Sequence, residues 1–235
     1  MGNGASGGSR KDWRRYENDL YEDDDYSDFY RGNSGRESRR VIIRSPSPRA
    51  EYRLIYFDKR GQAEAIRQLF IMARVHFIDE RVDQEQWRMA KNRTPFRQLP
   101  ILQTQGVILG QTLAIMRFIG RRFDMAGRND LEEAIIDSLA ERYGCFFNDI
   151  APYIVVAEGY AKGDERAMKE SVLYPECERF FKCLDMFLKK ANGYLVGKEL
   201  SYVDLLVTEG ISQIVEREPN VLGKYKRISD YIEKV

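Results

Sequence analysis

The order of hydrophobic patterns after residue 50 constrains the fold of this 235-residue chain more than any other feature. Residues 52–57 are rich in aromatic and aliphatic side chains in alternation, which is typical of a β-strand. Residues 63–73 then repeat apolar side chains at helical spacing. The same patterns predict later strands at 77–81, 101–103 and 107–109, and helices at 85–92 and 112–123. Because short strands alternating with helices form a sheet covered by helices, we predict an α/β domain over residues 51–126.

After Gly127 the pattern is purely helical. The predicted helices cover 132–160 (weakened near Pro152), 164–191, and two shorter segments that begin at 201 and near 224. Ser201 is followed three residues later by Asp204, which is the pattern of a capping box, and we assign that pair to stability. We therefore predict an all-α domain over residues 127–235.

Residues 1–50 differ from the rest, because they contain many Gly, Ser, Arg, Asp and Tyr residues and few aliphatic ones. Such a segment cannot bury enough apolar area to offset its ordering entropy, so we expect a disordered tail. Gly2 and Ser6 fit the pattern for N-myristoylation, and four basic residues follow between positions 10 and 15. Two interpretations stay open: weak membrane association through a myristoylated Gly2, or a plain flexible leader.

The charge balance and the cysteine content exclude several classes of function. Lys and Arg number 38 against 37 Asp and Glu, a net charge of +1, so we expect no nucleic-acid partner. No apolar run approaches the roughly 18 residues of a membrane span, and the hydrophilic start is unlike a secretory signal. Three cysteines without CxxC spacing indicate a reducing compartment, and we expect a cytoplasmic protein. The single histidine, His76, predicts no metal site.

Several short motifs follow one another in a specific order. They are residues 54–61 (LIYFDKRG), 86–87 (QW), 94–96 (TPF), 98–102 (QLPIL) and 111–115 (QTLAI). In this order and spacing, residues 51–235 resemble the sigma-class glutathione transferases, in particular those of the nematode type. The resemblance implies a thioredoxin-like α/β domain followed by an all-helical domain, glutathione as co-substrate, and a homodimer.

The tyrosine at the end of the first predicted strand, Tyr56, is the candidate catalytic residue. A free thiol has a pKa near 8.5, so little of it is thiolate at neutral pH. A tyrosine hydroxyl that donates a hydrogen bond to the sulfur favours the thiolate, which is the nucleophile. The resemblance assigns this role to Tyr56. The alternative for Tyr56 is an ordinary half-buried strand tyrosine. Tyr52, earlier in the same strand, is the other candidate, and we expect it to be a packing residue.

Two further motifs are candidates for binding glutathione. In the resembling family the bond matching Leu99-Pro100 is cis, and the main chain matching Leu99 pairs with the cysteinyl part of glutathione. Gln98 belongs to the same implied site. Gln111 and Thr112 begin a helix, and we expect Thr112 to be its N-cap. The resemblance places the γ-glutamyl carboxylate at this electropositive helix start.

Trp87 and Lys91 are four residues apart and are expected to share a helix face. By resemblance they approach the glycine end of glutathione, where Lys91 would counter the carboxylate. The alternative is a packed tryptophan beside a surface charge.

This sequence departs from the family pattern at three places. Many relatives carry a basic residue or glycine at the position of Gln62. They also carry an acid at the position of Gly144 or Cys145, which reaches the glutathione amine of the partner subunit. Two acids earlier on the same helix could compensate: Asp137 and Glu141. The sequence also stops at Val235, about twenty residues before its relatives, so we expect either a more open acceptor pocket or a variant isoform.

The main functional hypothesis is conjugation of glutathione to small hydrophobic electrophiles, a detoxification reaction. The helical half would line the electrophile pocket, with Tyr143, Phe146 and Phe147 as candidates. One alternative is a non-catalytic ligand carrier or interaction protein. Another is a glutathione-dependent prostaglandin isomerase. A thioredoxin-type oxidoreductase is disfavoured, because no cysteine lies in residues 51–126.

Overall fold

A computed structural model of the chain describes residues 51–191 and 193–235. The predicted disordered tail, including Gly2, lies outside the described residues. In the described part, an α/β half precedes a helical half, as predicted. No helix there is both long enough and apolar enough to cross a membrane.

The sheet has four strands in the order β2-β1-β3-β4. The strands are β1 (Tyr52–Phe57), β2 (Ile78–Val82), β3 (Ile101–Thr104) and β4 (Val107–Gly110). β1 and β2 are parallel, whereas β3 pairs antiparallel with both β1 and β4. All four strands lie within one residue of their predicted bounds, because each is a short run of strand-forming residues flanked by turns.

Three helices cover the two faces of this sheet. They are α1 (Glu64–Met72), α2 (Gln84–Ala90) and α3 (Thr112–Arg122). Leu54 of β1 packs with α1 and α3 in the main core, which includes the buried residues Ile66 and Ile119. Ile55, which points to the opposite face, packs with Ile101 and the α2 residue Trp87. The first half is therefore the predicted thioredoxin-like domain, with helices on both sides of the sheet.

The second half consists of helices packed on α1 and α3. They are α4 (Asp130–Ala157), α5 (Glu165–Met168), α6 (Tyr174–Lys190), α7 (Tyr202–Arg217) and α8 (Lys226–Lys234). α4 continues through Pro152. The prediction of one regular helix over 164–191 was wrong, because a π-helical segment, Lys169–Leu173, joins α5 to α6. Pro175 is the second residue of α6, and a proline has no N–H to donate to the preceding turn.

Helix α7 is the central element of the helical half, and its first two turns are buried almost completely. The capping box is confirmed, and the Asp204 carboxylate is 0% exposed. It accepts hydrogen bonds from the main-chain N–H groups of Leu195 and Ser201 and from two hydroxyls, those of Ser201 and Tyr231. Because these bonds satisfy the buried carboxylate, Asp204 fixes the start of α7 to the segment before it and to α8.

Candidate functional site

A cavity of about 800 Å³ lies between the α/β half and the helical half. The α/β half contributes the end of β1 with the loop after it, the start of α1, and residues from α2, the loop before β3 and α3. These residues are Tyr56, Phe57, Lys59, Gly61, Gln62, Ala65, Gln84, Trp87, Arg97, Gln98, Leu99, Gln111, Thr112, Leu113, Ala114 and Arg117. The helical half contributes Glu141, Tyr143, Gly144, Phe147, Asn148, Tyr160, Leu206, Glu209, Gly210 and Gln213.

Tyr56 is the penultimate residue of β1, and its side chain lines the cavity although it is only 7% exposed. The main-chain N–H of Gln62 donates a hydrogen bond to the Tyr56 hydroxyl oxygen over 3.3 Å. Gly61 has a φ of +45°, and a Cβ at this position would lie 2.6 Å from that oxygen. The loop after β1 can therefore wrap around the phenol only because residue 61 is a glycine.

The Tyr56 phenol is a neutral hydrogen-bond donor at physiological pH. Burial raises the pKa of Tyr56 above its ordinary value, and the Gln62 N–H and the charge of Lys59 oppose this shift only in part. Because the oxygen accepts the bond from Gln62, its O–H hydrogen can be offered to an acceptor inside the cavity.

The Leu99–Pro100 peptide bond is cis, as the resemblance implies. Leu99 lines the cavity, whereas Pro100 is buried behind it. The paired residues of β3 begin at Ile101, so Leu99 lies just outside the ladder, at the cavity edge.

The start of α3 lies beside the same cavity wall, with a different cap from the predicted one. Thr112 is the first helical residue, and its hydroxyl donates to the Gln62 side-chain oxygen over 3.0 Å instead of capping the helix. The N-cap residue is Gln111, with a φ of 71° and no side-chain capping bond. The Gln111 side-chain amide instead donates to Gln98 over 3.1 Å. The uncapped N–H groups of this helix start favour a carboxylate.

Of the two residues proposed for the glycine end, only Trp87 lines the cavity. Trp87 lies on α2, is half-buried and lines the cavity. Helix α2 ends at Ala90, two residues earlier than predicted, and Lys91 begins a 3₁₀ turn, Lys91–Arg93. The Lys91 side chain does not line this cavity.

On the helical side, two of the three predicted aromatic residues line the cavity. Tyr143 and Phe147 of α4 do so, together with Gly144. The prediction for Phe146 was wrong: it is 0% exposed and stacks on Phe180 of α6, with ring centroids 4.4 Å apart. Adjacent residues on a helix point about 100° apart, so Phe146 can face the core while Phe147 faces the cavity. Cys145 is exposed.

Sequence reasoning placed Arg117 on the solvent side of α3, and this was wrong. Arg117 is half-buried, lines the cavity, and forms ion pairs with Asp137 at 2.8 Å and with Glu141 at 3.2 Å. Glu141 also lines the cavity, whereas Asp137 accepts a hydrogen bond from Tyr202. The only signal of this contact in the sequence was that the two acids are four residues apart and so share one face of α4. That signal points to Arg117 only when it is known that α4 packs against α3.

A second charged residue missed from the sequence is Glu209 of α7, which is 5% exposed. Arg60 donates two hydrogen bonds of 3.0 Å to its carboxylate, and this contact raises the pKa of Arg60. Gln68 and Gln213 also donate to Glu209, over 2.8 and 3.0 Å. Gln213 donates in addition to the Gly61 carbonyl oxygen over 3.1 Å. These contacts hold the loop after β1 against α7.

Comparison with known proteins assigns both halves to one family. The family model "Glutathione S-transferase, N-terminal domain" matches residues 52–121, and "Glutathione S-transferase, C-terminal domain" matches residues 148–235. "Probable glutathione S-transferase 8" of Caenorhabditis elegans is 38% identical over 185 residues, which cover 78% of this chain and 90% of that protein. "Glutathione S-transferase 1" of Ascaris suum is 36% identical, covering 79% of this chain and 90% of the relative.

Solved structures agree with this assignment. The crystal structure of monomeric Na-GST-3, a glutathione S-transferase from the hookworm Necator americanus, is 39% identical with a TM-score of 0.76 and covers 79% of this chain and 91% of that chain. The structure of prostaglandin synthase D of Nilaparvata lugens is 27% identical with a TM-score of 0.69, covering 78% and 90%. The chain therefore belongs to the glutathione S-transferase family, and it is a transferase that uses glutathione as its co-substrate.

Proposed function

We propose that the chain conjugates the glutathione thiolate to small hydrophobic electrophiles, with Tyr56 as the group that stabilises the thiolate. The observation that supports this most is the Tyr56 phenol on the cavity wall, with its oxygen accepting the Gln62 N–H. A neutral phenol held in this way donates its hydrogen to sulfur and lowers the pKa of the thiol. The reaction then follows by attack of the thiolate on an electrophile bound alongside.

Glutathione is proposed to lie along the α/β wall. Its cysteinyl main chain pairs with Leu99, which the buried cis Pro100 holds at the cavity edge. Its γ-glutamyl carboxylate meets Gln98, Gln111 and the first N–H groups of α3 at Thr112. Its glycine end lies towards Trp87, and Lys91 provides a nearby positive charge.

The amine of the γ-glutamyl group needs an acceptor, and we assign this role to Glu141. Its carboxylate lines the cavity from α4 and is 64% exposed, so a ligand can reach it. Both acids pair with Arg117, but Asp137 is less favourable, because it does not line the cavity and also accepts a hydrogen bond from Tyr202. In this arrangement one chain supplies the acid that many relatives take from a partner.

The electrophile is proposed to bind against the helical wall. This part of the cavity combines aromatic and aliphatic side chains, namely Tyr143, Phe147, Tyr160 and Leu206. Apolar walls with a few polar groups are typical of pockets for small hydrophobic molecules. On this basis we also propose a role in detoxification.

Replacing Tyr56 with phenylalanine tests the proposal. We expect glutathione conjugation to a chromogenic aryl halide to fall about 100-fold, in line with the loss of one stabilising donor. The pKa of the bound thiol, followed by thiolate absorbance, should rise towards that of a free thiol, about 8.5. The matched control is Tyr52→Phe, because the Tyr52 hydroxyl contacts Glu51 and Arg122 away from the cavity. Equal turnover by wild type and Tyr56→Phe would reject the role of Tyr56.

Two alternative functions predict different results with the same proteins. A ligand carrier would bind glutathione and hydrophobic molecules without turnover in the wild type. A glutathione-dependent prostaglandin isomerase, related to the function named for the Nilaparvata lugens neighbour, would convert a prostaglandin endoperoxide faster than an aryl halide. Both substrates should therefore be offered to the wild type and to Tyr56→Phe.

The assembly state proposed from the family is a homodimer, although the Necator americanus neighbour is described as monomeric. Light scattering of the purified chain at several concentrations measures the mass directly. A mass near 27.5 kDa, the mass of one chain, at every concentration would contradict the dimer.

For localisation, we propose a cytoplasmic protein that associates weakly with membranes through a myristoylated Gly2. The support is the sequence pattern of Gly2 and Ser6 with the basic residues that follow. Labelling cells with an alkyne myristate should mark the wild type and the control Gly4→Ala, but not Gly2→Ala. Equal labelling of all three proteins would dismiss the anchor.

A further inference from the structure

Lys59 brings a positive charge to the cavity wall close to the Tyr56 phenol. It lies three residues after Tyr56, in the loop that follows β1, and its side chain lines the cavity and is 35% exposed. The charge of Lys59 opposes the rise in the pKa of Tyr56, so the ammonium and the phenol are close enough to interact. A group held by Lys59 would therefore lie near the glutathione sulfur.

The helical half determines where this ammonium lies. The Lys59 Nζ donates to the Glu158 carboxylate over 2.9 Å and to the Tyr160 hydroxyl over 3.4 Å. It also lies over the Tyr160 ring, 5.1 Å from the centroid, in a cation–π contact. An ammonium has three N–H donors, and these contacts use two of them. The third has no acceptor within the described part of the chain, so a ligand in the cavity can provide one.

Glu158 does not depend on Lys59 alone. It is the residue directly after α4, and its two carboxylate oxygens contact different cations. Lys59 contacts Oε2, and Arg217, the last residue of α7, contacts Oε1 over 3.3 Å. A ligand anion can therefore share Lys59 without leaving the Glu158 carboxylate unpaired, which would be unfavourable.

The charge around Lys59 differs in sign from that of two other charged groups on the cavity wall. Lys59 and Arg217 share one acid, Glu158, which leaves one positive charge in excess. Arg117 and Arg60 each face two acids instead, which leaves one negative charge in excess in each group. These acids are Asp137 and Glu141 for Arg117, and Glu209 and Glu216 for Arg60. An anion on this side of the cavity is therefore attracted to Lys59 and repelled by the other two groups.

An anion at Lys59 would belong to the electrophile and not to glutathione. In the proposed arrangement the two carboxylates of glutathione lie along the α/β wall, at the start of α3 and towards Trp87. Arg97, another cation that lines the cavity, belongs to the loop before β3 on that wall. Lys59 is in the α/β half too, but its ammonium contacts helical residues, on the side proposed for the electrophile.

We propose that Lys59 forms an anion subsite for the electrophile, so that the preferred substrates are small hydrophobic electrophiles that carry a carboxylate; this inference rests on the proposed conjugation. The carboxylate accepts the third N–H of Lys59, and the apolar part of the electrophile lies against Phe147 and Leu206. Because the carboxylate keeps this contact throughout the reaction, the subsite acts on KM and not on kcat. Lys59 thus determines specificity without taking part in the chemical step.

The experiment compares ethacrynic acid with its primary amide. At neutral pH the acid is an anion and the amide is neutral, and both carry the same reactive enone, remote from the changed group. For Lys59→Met we expect the KM of the acid to rise about three- to fivefold at unchanged kcat, as for a partly exposed ion pair. The KM of the amide should stay within about 1.5-fold. At about 1 M salt, where charges are screened within about 3 Å, Lys59→Met and wild type should have similar KM values for the acid.

Three further variants test whether the charge of Lys59 is the cause. Lys59→Arg keeps the charge and should keep the preference for the acid. Lys162→Met is the matched control, because Lys162 is exposed in the loop after α4 and does not line the cavity. Glu158→Gln removes the acid that competes for Lys59. The KM of the acid should then fall about twofold, a change opposite in sign to that in Lys59→Met.

Binding without turnover provides a second measurement. Isothermal titration calorimetry with the preformed glutathione conjugates of the acid and of the amide gives a Kd for each, whether or not the protein is active. Lys59→Met should weaken binding of the acid conjugate about three- to fivefold and leave binding of the amide conjugate unchanged.

Equal effects of Lys59→Met on the acid and the amide, including no effect on either, would overturn the subsite. If turnover still depends on Tyr56 in that case, the proposed conjugation stands and only the subsite fails. If neither electrophile is converted but Lys59→Met selectively weakens binding of the acid conjugate, the proposed function fails and the anion subsite stands. Should Lys59→Met melt at a lower temperature than wild type, the sign of the effect of Glu158→Gln decides, since this variant retains Lys59.

Discussion

The two walls of the cavity are built in different ways. The α/β wall depends on unusual main-chain geometry, with a cis bond before Pro100 and positive φ angles at Gly61, Arg97 and Gln111. Within the described residues, every non-glycine residue with a positive φ lies in the α/β half, between positions 74 and 124. The helical wall instead consists of side chains on the regular helices α4 and α7, such as Tyr143 and Glu209.

This difference separates two tasks. Main-chain groups in a fixed geometry suit the co-substrate, which is the same in every turnover. Side chains on regular helices can be exchanged without disturbing the backbone, so they suit the variable electrophile. We therefore expect substitutions on the α/β wall to affect glutathione chemistry with all electrophiles, and those on the helical wall, together with those at Lys59, to discriminate between electrophiles.

The largest expected effect is a loss of stability of the helical half. Asp204→Ala leaves four hydrogen-bond donors without their acceptor in a fully buried place. We expect the free energy of unfolding, measured with urea, to fall by at least about 3 kcal/mol. Asp230→Asn, at an exposed position on α8, is the control and should change stability little. A small effect of Asp204→Ala would mean that regular helix packing suffices without this buried carboxylate.

The next effect tests the α/β wall at the catalytic loop. Gly61→Ala places a methyl group within 2.6 Å of the Tyr56 oxygen, and we expect turnover of every electrophile to fall about 10- to 100-fold. Gly159→Ala is the matched control, because Gly159 also has a positive φ, +76°, but has open space around it. This control should lose about 1 kcal/mol of stability and keep its turnover. Similar kinetic losses in both variants would contradict a specific role for the space at Gly61.

A smaller effect concerns main-chain strain at the start of α3. Gln111→Gly removes a side chain from a residue with a φ of 71°, and we expect a gain in stability of up to about 1 kcal/mol. The glutathione affinity should fall at the same time, because the amide bonded to Gln98 is lost. Gln105→Gly, in the β3–β4 turn with a φ of 50°, should also be stabilising but leave the affinity unchanged. Unchanged affinity in Gln111→Gly would show that the strained residue 111 does not contribute to glutathione binding.

The smallest expected effect tests the one helical residue to which we assign a contact with glutathione. Glu141→Gln should raise the Kd for glutathione up to about fivefold, as for a partly exposed ion pair. Glu133→Gln on the same helix pairs with Arg121 instead and should leave the Kd unchanged. Isothermal titration calorimetry measures both. An unchanged Kd in Glu141→Gln would show that the amine is held by another group.

The sequence predicted the α/β wall far better than the helical wall. Strand bounds could be predicted, because short motifs with turn residues encode local geometry. The cis bond at Pro100 and the candidate site residues Tyr56, Trp87 and Leu99 came only from the resemblance to the family, since the residue pattern alone does not distinguish a cis from a trans proline. The prediction that Thr112 is the N-cap of α3 was wrong. The Thr112 hydroxyl instead donates to Gln62, which is fifty residues away in the sequence, and no local sequence pattern predicts such a contact.

On the helical side, periodicity predicts which stretches are helices but not what each face meets. Phe146 and Phe147 are adjacent aromatics, and only the packing of α4 on α6 determines that the first is core and the second lines the cavity. Arg117 was expected to be solvated for the same reason, since its partners lie on a helix that follows in sequence. The π-helical segment before Pro175 likewise has no signal in a simple 3.6-residue repeat.

The contacts of Glu209 have a consequence for how this molecule can be recombined. Through Arg60, Gln68 and Gln213, a single acid on α7 ties the loop that carries Gly61 to the opposite half. A chimaera that joins the first half to the helices of a distant homologue would keep the loop at Gly61 in place only if the homologue's helix has an acid equivalent to Glu209 and an amide equivalent to Gln213. The halves are separate in topology, yet they are not interchangeable parts.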